Sequence, residues 1–135
     1  MAVGTLANIK VDPVAGTFSA KYTVDGTATA TSVFCGFTPR VVKLTQIAGS
    51  LGALAATISY ESMAAGTNGN LSLTYHGTGA VALVTANGIT FLVGTESTTA
   101  AAATGASALA TAGRGFSIGT AVASTTQVLL VEAYR

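Results

Sequence analysis

Charge is the scarcest ingredient of this sequence. Lysine, arginine, aspartate and glutamate together supply 8% of its 135 residues, where an ordinary globular domain carries roughly 25%. The formal net charge is +1, which leaves no basic footprint for nucleic acid and none for an acidic membrane surface. Tryptophan is absent and there is one cysteine, so an internal disulfide is excluded and nothing supports a cysteine-based metal site. Cys35 lies in the stretch VFCGF without a neighbouring cation, and reads as a small buried hydrophobe rather than a reactive thiol. Long apolar runs are missing as well. A spanning helix needs about 20 mainly apolar residues, and the nearest stretch, 41–60, is broken by Lys43, Thr45, Gln46, Gly49, Ser50 and Gly52. The N-terminus, MAVGTLANIKVDPVAG, lacks a basic start followed by an apolar stretch. No secretory signal is read there, and a soluble protein made in the cytoplasm is expected.

What is present is apolar and small. Half of the residues are hydrophobic, the mean hydropathy is +0.60, and alanine, threonine and glycine are abundant. Disorder requires the opposite balance. A chain of 13.2 kDa is one domain with room for a core.

Turn residues divide the chain into short extended segments. Asp25-Gly26 separates TFSAKYTV from TATATSVF, and Asn87-Gly88 separates AVALVTA from ITFLVG; both dipeptides tolerate the positive φ of a two-residue hairpin turn. His76-Gly77-Thr78-Gly79 joins LSLTYH to AVALVTA, so residues 71–94 read as a three-stranded meander. Further strands are expected in PRVVKLTQI, ATISYESM, GFSIGTA and TQVLLVEAYR. Short strands with turn signals every 8–12 residues or so argue for an all-β fold, an antiparallel β-sandwich and by preference a jelly roll. Residues 98–112 are alanine-rich but interrupted by Thr104-Gly105, and read as a loop or short helix lying on the sheet. Residues 1–16 are strand-poor and read as an N-terminal arm, leaving residues 17–135 as a single sandwich domain. Phe34, Phe37, Val41, Tyr60, Phe91, Phe116 and Leu130 are the expected core.

If Asn87-Gly88 closes a hairpin, Val84 faces Phe91 and Ala86 faces Ile89 on one side, while Leu83 faces Leu92 on the other. A sheet with one wet face usually shows polar residues on that side, so Leu83 and Leu92 should be covered by the alanine-rich segment or by another subunit. Arg40 and Arg114 are candidate partners for ion pairs or carbonyls at such a subunit interface. Strands this apolar on both sides suggest a molecule packed against neighbours.

Catalytic patterns are sparse. His76 is the one histidine, beside a turn glycine, and there are five carboxylates: Asp12, Asp25, Glu61, Glu96 and Glu132. Asp25 and Asp12 have turn roles, the latter preceding Pro13. No nucleophile, base and orienting group stand together in a familiar motif. Metal-ligand spacings, phosphate-loop patterns and aromatic-interleaved basic runs are likewise missing. No catalytic, cofactor-binding or metal-binding residue is assigned, no small-molecule substrate is expected, and the chain reads as a non-enzyme.

Three stretches together carry a family resemblance. Phe34-Cys35-Gly36-Phe37-Thr38-Pro39-Arg40-Val41-Val42 resembles the F-x-P-R-x-V strand opening of small virion proteins of tailed bacteriophages. Gly88-Ile89-Thr90-Phe91 and Gly115-Phe116-Ser117-Ile118-Gly119 resemble their later G-I-x-F and G-F-x-I-G elements, and the closing Ala133-Tyr134-Arg135 is similar too. The resemblance covers residues 34–135 and implies a non-catalytic β-sandwich virion protein of the head decoration or cement type. Such a protein sits on the capsid surface, bridges subunits of the major capsid protein, and forms dimers or trimers. The alternative it leaves is a tail-fibre or spike module binding host-surface glycan, although the chain lacks a repetitive shaft and a cluster of aromatics for sugar stacking.

Overall fold

The computed structural model describes residues 5–24, 31–49, 54–60, 72–76, 80–85, 87–94, 102–103, 113–123 and 127–135. Among these residues there is no helix. The strands are β1 (Thr5–Asp12), β2 (Thr17–Thr23), β3 (Thr31–Val33), β4 (Val41–Gly49), β5 (Leu54–Tyr60), β6 (Ser72–His76), β7 (Val81–Val84), β8 (Ile89–Val93), β9 (Ala102–Ala103), β10 (Arg114–Ile118) and β11 (Gln127–Tyr134). They form a large sheet in the order β7-β6-β5-β4-β11-β2-β1-β9 and a small sheet in the order β3-β10-β8. Pairing is antiparallel throughout, apart from the two-residue parallel contact between β9 and β1.

The two sheets enclose one core, and period-two alternation explains who enters it. From the large sheet come Phe18, Ala20 and Tyr22 of β2, Val42 and Leu44 of β4, and Leu129, Val131 and Ala133 of β11; from the small sheet come Val33, Ile89, Phe116 and Ile118. Phe18 and Phe116 meet edge to face across the layers at 5.6 Å and 73°, a geometry that adds about 0.5–1.5 kcal/mol to simple burial. The Tyr22 and Thr31 hydroxyls also join across the layers, 2.6 Å apart and buried. The antiparallel β-sandwich expected from the sequence is therefore the fold. Its sheets are unequal, and the described strands do not reproduce the paired four-stranded sheets of a jelly roll.

Several finer expectations are corrected. Residues 5–12 are not an arm: they form β1, paired along β2, with Leu6 fully buried. The strand is hard to read because its phase slips. Asn8 has φ 54° and sits in a bulge where Asn8 and Ile9 oppose the single residue Ala20. A left-handed first residue is one standard way to build a bulge. The extra residue brings Leu6 opposite Tyr22, Ile9 near Ala20, and Val11 opposite Phe18, all on the core side, although an uninterrupted strand would turn Ile9 and Val11 outward.

Neither Asp-Gly nor Asn-Gly makes its expected hairpin. β2 and β3 lie in different sheets, and so do β7 and β8; residues 25–30 themselves lie outside the described residues. Asn87, with φ 57°, turns a corner between the sheets instead. Its carbonyl accepts from the Ala121 N–H at 3.0 Å, and the Gly88 carbonyl accepts from the Gly119 N–H at 2.9 Å. A Cβ on Gly119 would stand 2.0 Å from the Asn87 oxygen, so this approach requires glycine. The β6–β7 pairing is as read from the sequence, but the meander stops there. Of the alanine-rich stretch, Ala102–Ala103 forms β9 and the rest lies outside the described residues. Among the expected core residues, Phe34, Phe37 and Phe116 are buried and Phe91 packs at the margin, whereas Tyr60 is exposed, and Val41 and Leu130 are half-buried on the outer face. Val42, not Val41, sets the inward phase of β4.

Loop anchoring at one end is equally specific. The Asp12 carboxylate accepts from the N–H groups of Val14 and Ala15 at 3.1 and 3.0 Å, closing the β1–β2 turn. Arg135 donates to the Val14 and Pro13 carbonyls at 3.1 and 2.8 Å and lies 5.5 Å from the Phe37 ring centroid.

The bulge yields a test. Asn8→Gly should leave stability unchanged or slightly raised, whereas Asn8→Val should cost about 1–2 kcal/mol, the penalty for a left-handed branched residue. Urea midpoints of the two variants measure the difference.

Candidate assembly interface

The outer face of the large sheet is divided in two by polarity, and the strand register shows where. One row across the strands reads Lys10, Ser19, Glu132, Lys43, Ile58, Leu73, Leu83. The next reads Lys21, Leu130, Thr45, Ala56, Tyr75, Val81. Over β1, β2, β11 and β4 the face carries lysines, Glu132 and hydroxyls. Beyond β4, over β5, β6 and β7, every described outward residue is apolar or tyrosine. Tyr60 is 45% exposed, Tyr75 38%, Val81 58% and Leu83 55%, while Ile58 and Leu73 are half-buried between them.

The inward face of the same wing is the reverse. Thr57, Ser59, Ser72 and Thr74 are buried, continuing inner rows that begin with Val42 and Leu44 on β4. Pairing decides this. Val42 and Leu44 must face the core, their partners Ser59 and Thr57 share that face, and Ile58 and Tyr60 are turned outward. Interior polarity is tolerated because each hydroxyl is used. Ser72 accepts from the backbone N–H of Ile89 at 3.0 Å and donates to Ser59 at 3.4 Å, and Thr74 donates to the Ala82 carbonyl at 3.0 Å. Among the described residues no buried side-chain nitrogen or oxygen lacks a partner. The Ser72–Ile89 bond also shows how near the two layers come. A β6 side chain reaches the backbone of β8 directly, which leaves no room for a large residue in between.

The interface candidates read from the sequence are not brought together. Leu83 is exposed on β7 at the edge of the large sheet. Leu92 is on β8 in the other sheet, opposite Gly115, and only 4% exposed. Leu92 is therefore withdrawn as an interface residue: the Asn87 corner separates it from Leu83, and its own chain already buries it, with the Leu92 carbonyl accepting from the Thr38 hydroxyl at 2.6 Å. Arg40 and Arg114 are exposed at the starts of β4 and β10, and neither lies in the apolar wing. Reading the faces of ATISY and LSLTYH from their pairing with β4 would have located the wing; the alternation was visible in the sequence, and only its direction was missing.

Over the charged half lies a shallow depression of about 380 Å³, lined by Lys10, Asp12, Thr17, Ser19, Glu132 and Tyr134 among others. The Tyr134 hydroxyl donates to the Glu132 carboxylate. That bond, with slight burial and the negative charge, holds the phenol above its usual range. Cys35 is buried and donates to the Phe37 carbonyl at 3.3 Å; burial pushes its thiol up, outweighing the hydrogen bonding. Glu61 and Glu96 lie outside the described residues, as does the His76 side chain. Among the described residues no three His, Cys, Asp or Glu side chains gather as a metal-binding group, and no helix is long and apolar enough to cross a membrane.

Compared with protein-family models, curated proteins and solved structures, the chain has no match.

Ser72→Ala strands the buried Ile89 N–H and should lower stability by about 1–3 kcal/mol, read by chemical denaturation. Cys35 should resist alkylation by iodoacetamide at pH 8 in the folded protein and react at the rate of a free thiol in denaturant. The raised thiol makes a small contribution to stability that is present below the unfolded cysteine's range and lost as pH rises above it. Rapid native alkylation would contradict this placement.

Proposed function

We propose that this chain is a non-catalytic structural module of a multi-subunit protein assembly, and that the assembly is a virion, with the chain serving as a head decoration or cement protein. The observation that carries the first part is the inverted wing. Six outward side chains of β5, β6 and β7 are apolar or aromatic, while the hydroxyls are inside. A patch of this kind on a small domain marks a surface meant to be covered by protein. The second part rests on the resemblance of residues 34–135 to phage virion proteins. In this reading the chain binds the major capsid protein on the outside of the shell, is made in the host cytoplasm, and adds many modest contacts per particle without cofactor or substrate. A glycan-binding role in a tail fibre or spike would use the depression beside Tyr134, whose lining includes hydroxyls, Lys10 and Glu132. That site offers a sugar less than the wing offers a protein.

The test is reconstitution. Mixed with assembled shells of a major capsid protein encoded in the same genome, the purified chain should co-sediment with them, saturate at a fixed ratio, and raise the temperature at which the shells open. A chain that stays in the supernatant at every concentration overturns the cement role.

A further inference from the structure

Resting on the reading of this chain as an assembly module, we infer that the apolar wing is the seat of a second copy of the same chain: two wings pack face to face about a two-fold axis. Three observations select a copy over an unlike protein. First, the wing carries no charge on any described residue, and Lys43 at its margin is the nearest, so nothing on it chooses an acidic or basic partner. Second, the net charge of the chain is +1, too small to hold copies apart. Third, the wing is an antiparallel sheet face with mixed side-chain sizes, Ala56 beside Tyr75 and Ile58 beside Leu73. Two such faces interdigitate at a spacing of about 10 Å.

Area sets the strength. Three strands about 4.8 Å apart, with outward rows about 6.8 Å apart, give a footprint on the order of 250 Å². A standard stable interface buries roughly 800 Å² on each partner. The pair is therefore reversible, with a dissociation constant of about 10 µM to 1 mM. Such weakness suffices where copies stand side by side on an assembly, because neighbours meet at effective concentrations of about a millimolar.

Sedimentation equilibrium of the full chain over a wide concentration range tests this. The wild type should show a monomer–dimer equilibrium. Leu83→Lys and, separately, Val81→Lys should each raise the dissociation constant about tenfold or more, while Thr23→Lys on the charged half should not change it. Leu83, Val81 and Thr23 are all exposed, and unchanged thermal unfolding confirms that each variant is folded. As an independent readout, dilution of the wild type should shift amide resonances of residues 56–60, 73–75 and 81–84 and leave those of β1 and β2 unmoved. A wild type that is monomeric at millimolar concentration, or a dimer indifferent to both lysines, overturns the inference. Shell binding separates the two readings. A wild type that dimerises through the wing but ignores shells upholds the self-docking and removes the cement role. A monomeric wild type whose shell binding is lost on Leu83→Lys does the reverse, placing a shell subunit on the wing.

Discussion

The hydrogen bond from the Ile89 N–H to the Ser72 hydroxyl fixes how closely the two sheets approach at one end of the sandwich, and much else in the molecule follows from that distance. Where layers are held apart by large side chains, as at Phe18 and Phe116, the inward residues are aromatic and aliphatic. Where they converge, beside the Asn87 corner, only serine, threonine and alanine fit. Their hydroxyls, deprived of water, bond to one another and to backbone groups, as buried polar atoms must. Period-two alternation then leaves the outward positions of the same strands to the larger residues. The exposed wing is thus the geometric complement of a thin interior, and its apolar character is compatible with a soluble existence only if something lies against it.

Much of the fold was legible in the sequence, and the misreadings have specific causes. The all-β class, the strands from Val41 onward and the β6–β7 hairpin followed from alternation and turn residues. β1 was missed because Asn8 shifts its phase by one residue, which makes LANIKV look patternless unless a bulge is allowed. Asn87-Gly88 has the chemistry of a hairpin turn, but the same tolerance of positive φ serves a corner between layers; what chooses between them is the loop 119–121, remote in sequence, whose backbone donors hold the corner. Asp25-Gly26 raises the same ambiguity, with its flanking strands in separate sheets. For the interface, Leu83 was rightly singled out as an apolar residue facing away from the core, and Leu92 failed with the hairpin that was to carry it. Tyr60 and Tyr75 were not recognised as outward-facing, since nothing within ATISY or LSLTYH says which side of the alternation meets the core. That information resides in the pairing with β4.

The functional proposal joins two supports of different kinds. The wing is a physical feature and argues for protein neighbours whatever their identity. The virion is suggested by short sequence elements whose roles are now visible as structural ones. Gly115 and Gly119, which bracket the Gly-Phe-Ser-Ile-Gly element, both stand where a side chain would collide with backbone, Gly115 against Val33 and Gly119 against Asn87. Phe37 supports Arg135, and the Arg40 N–H bonds to the Tyr134 carbonyl. These elements therefore record how a sandwich of this shape is closed, which is why they can recur together while the surfaces that meet partners differ.

The position of β11 has a consequence for how the chain comes to be folded. Within the described strands it alone joins β4 to β2, so two half-sheets, one built from the first strands and the other from the middle of the sequence, remain separate until residues 127–134 are available. During synthesis both halves must wait on or near the ribosome with open edges, and no early intermediate can resemble the finished sandwich. Contacts between residues far apart in sequence form slowly, and exposed edges invite pairing with the wrong chain. A molecule of this design depends on its last strand arriving promptly, and in a crowded cell making many copies at once it is the interval before that arrival, more than the finished fold, that exposes it to chaperones, proteases and aggregation.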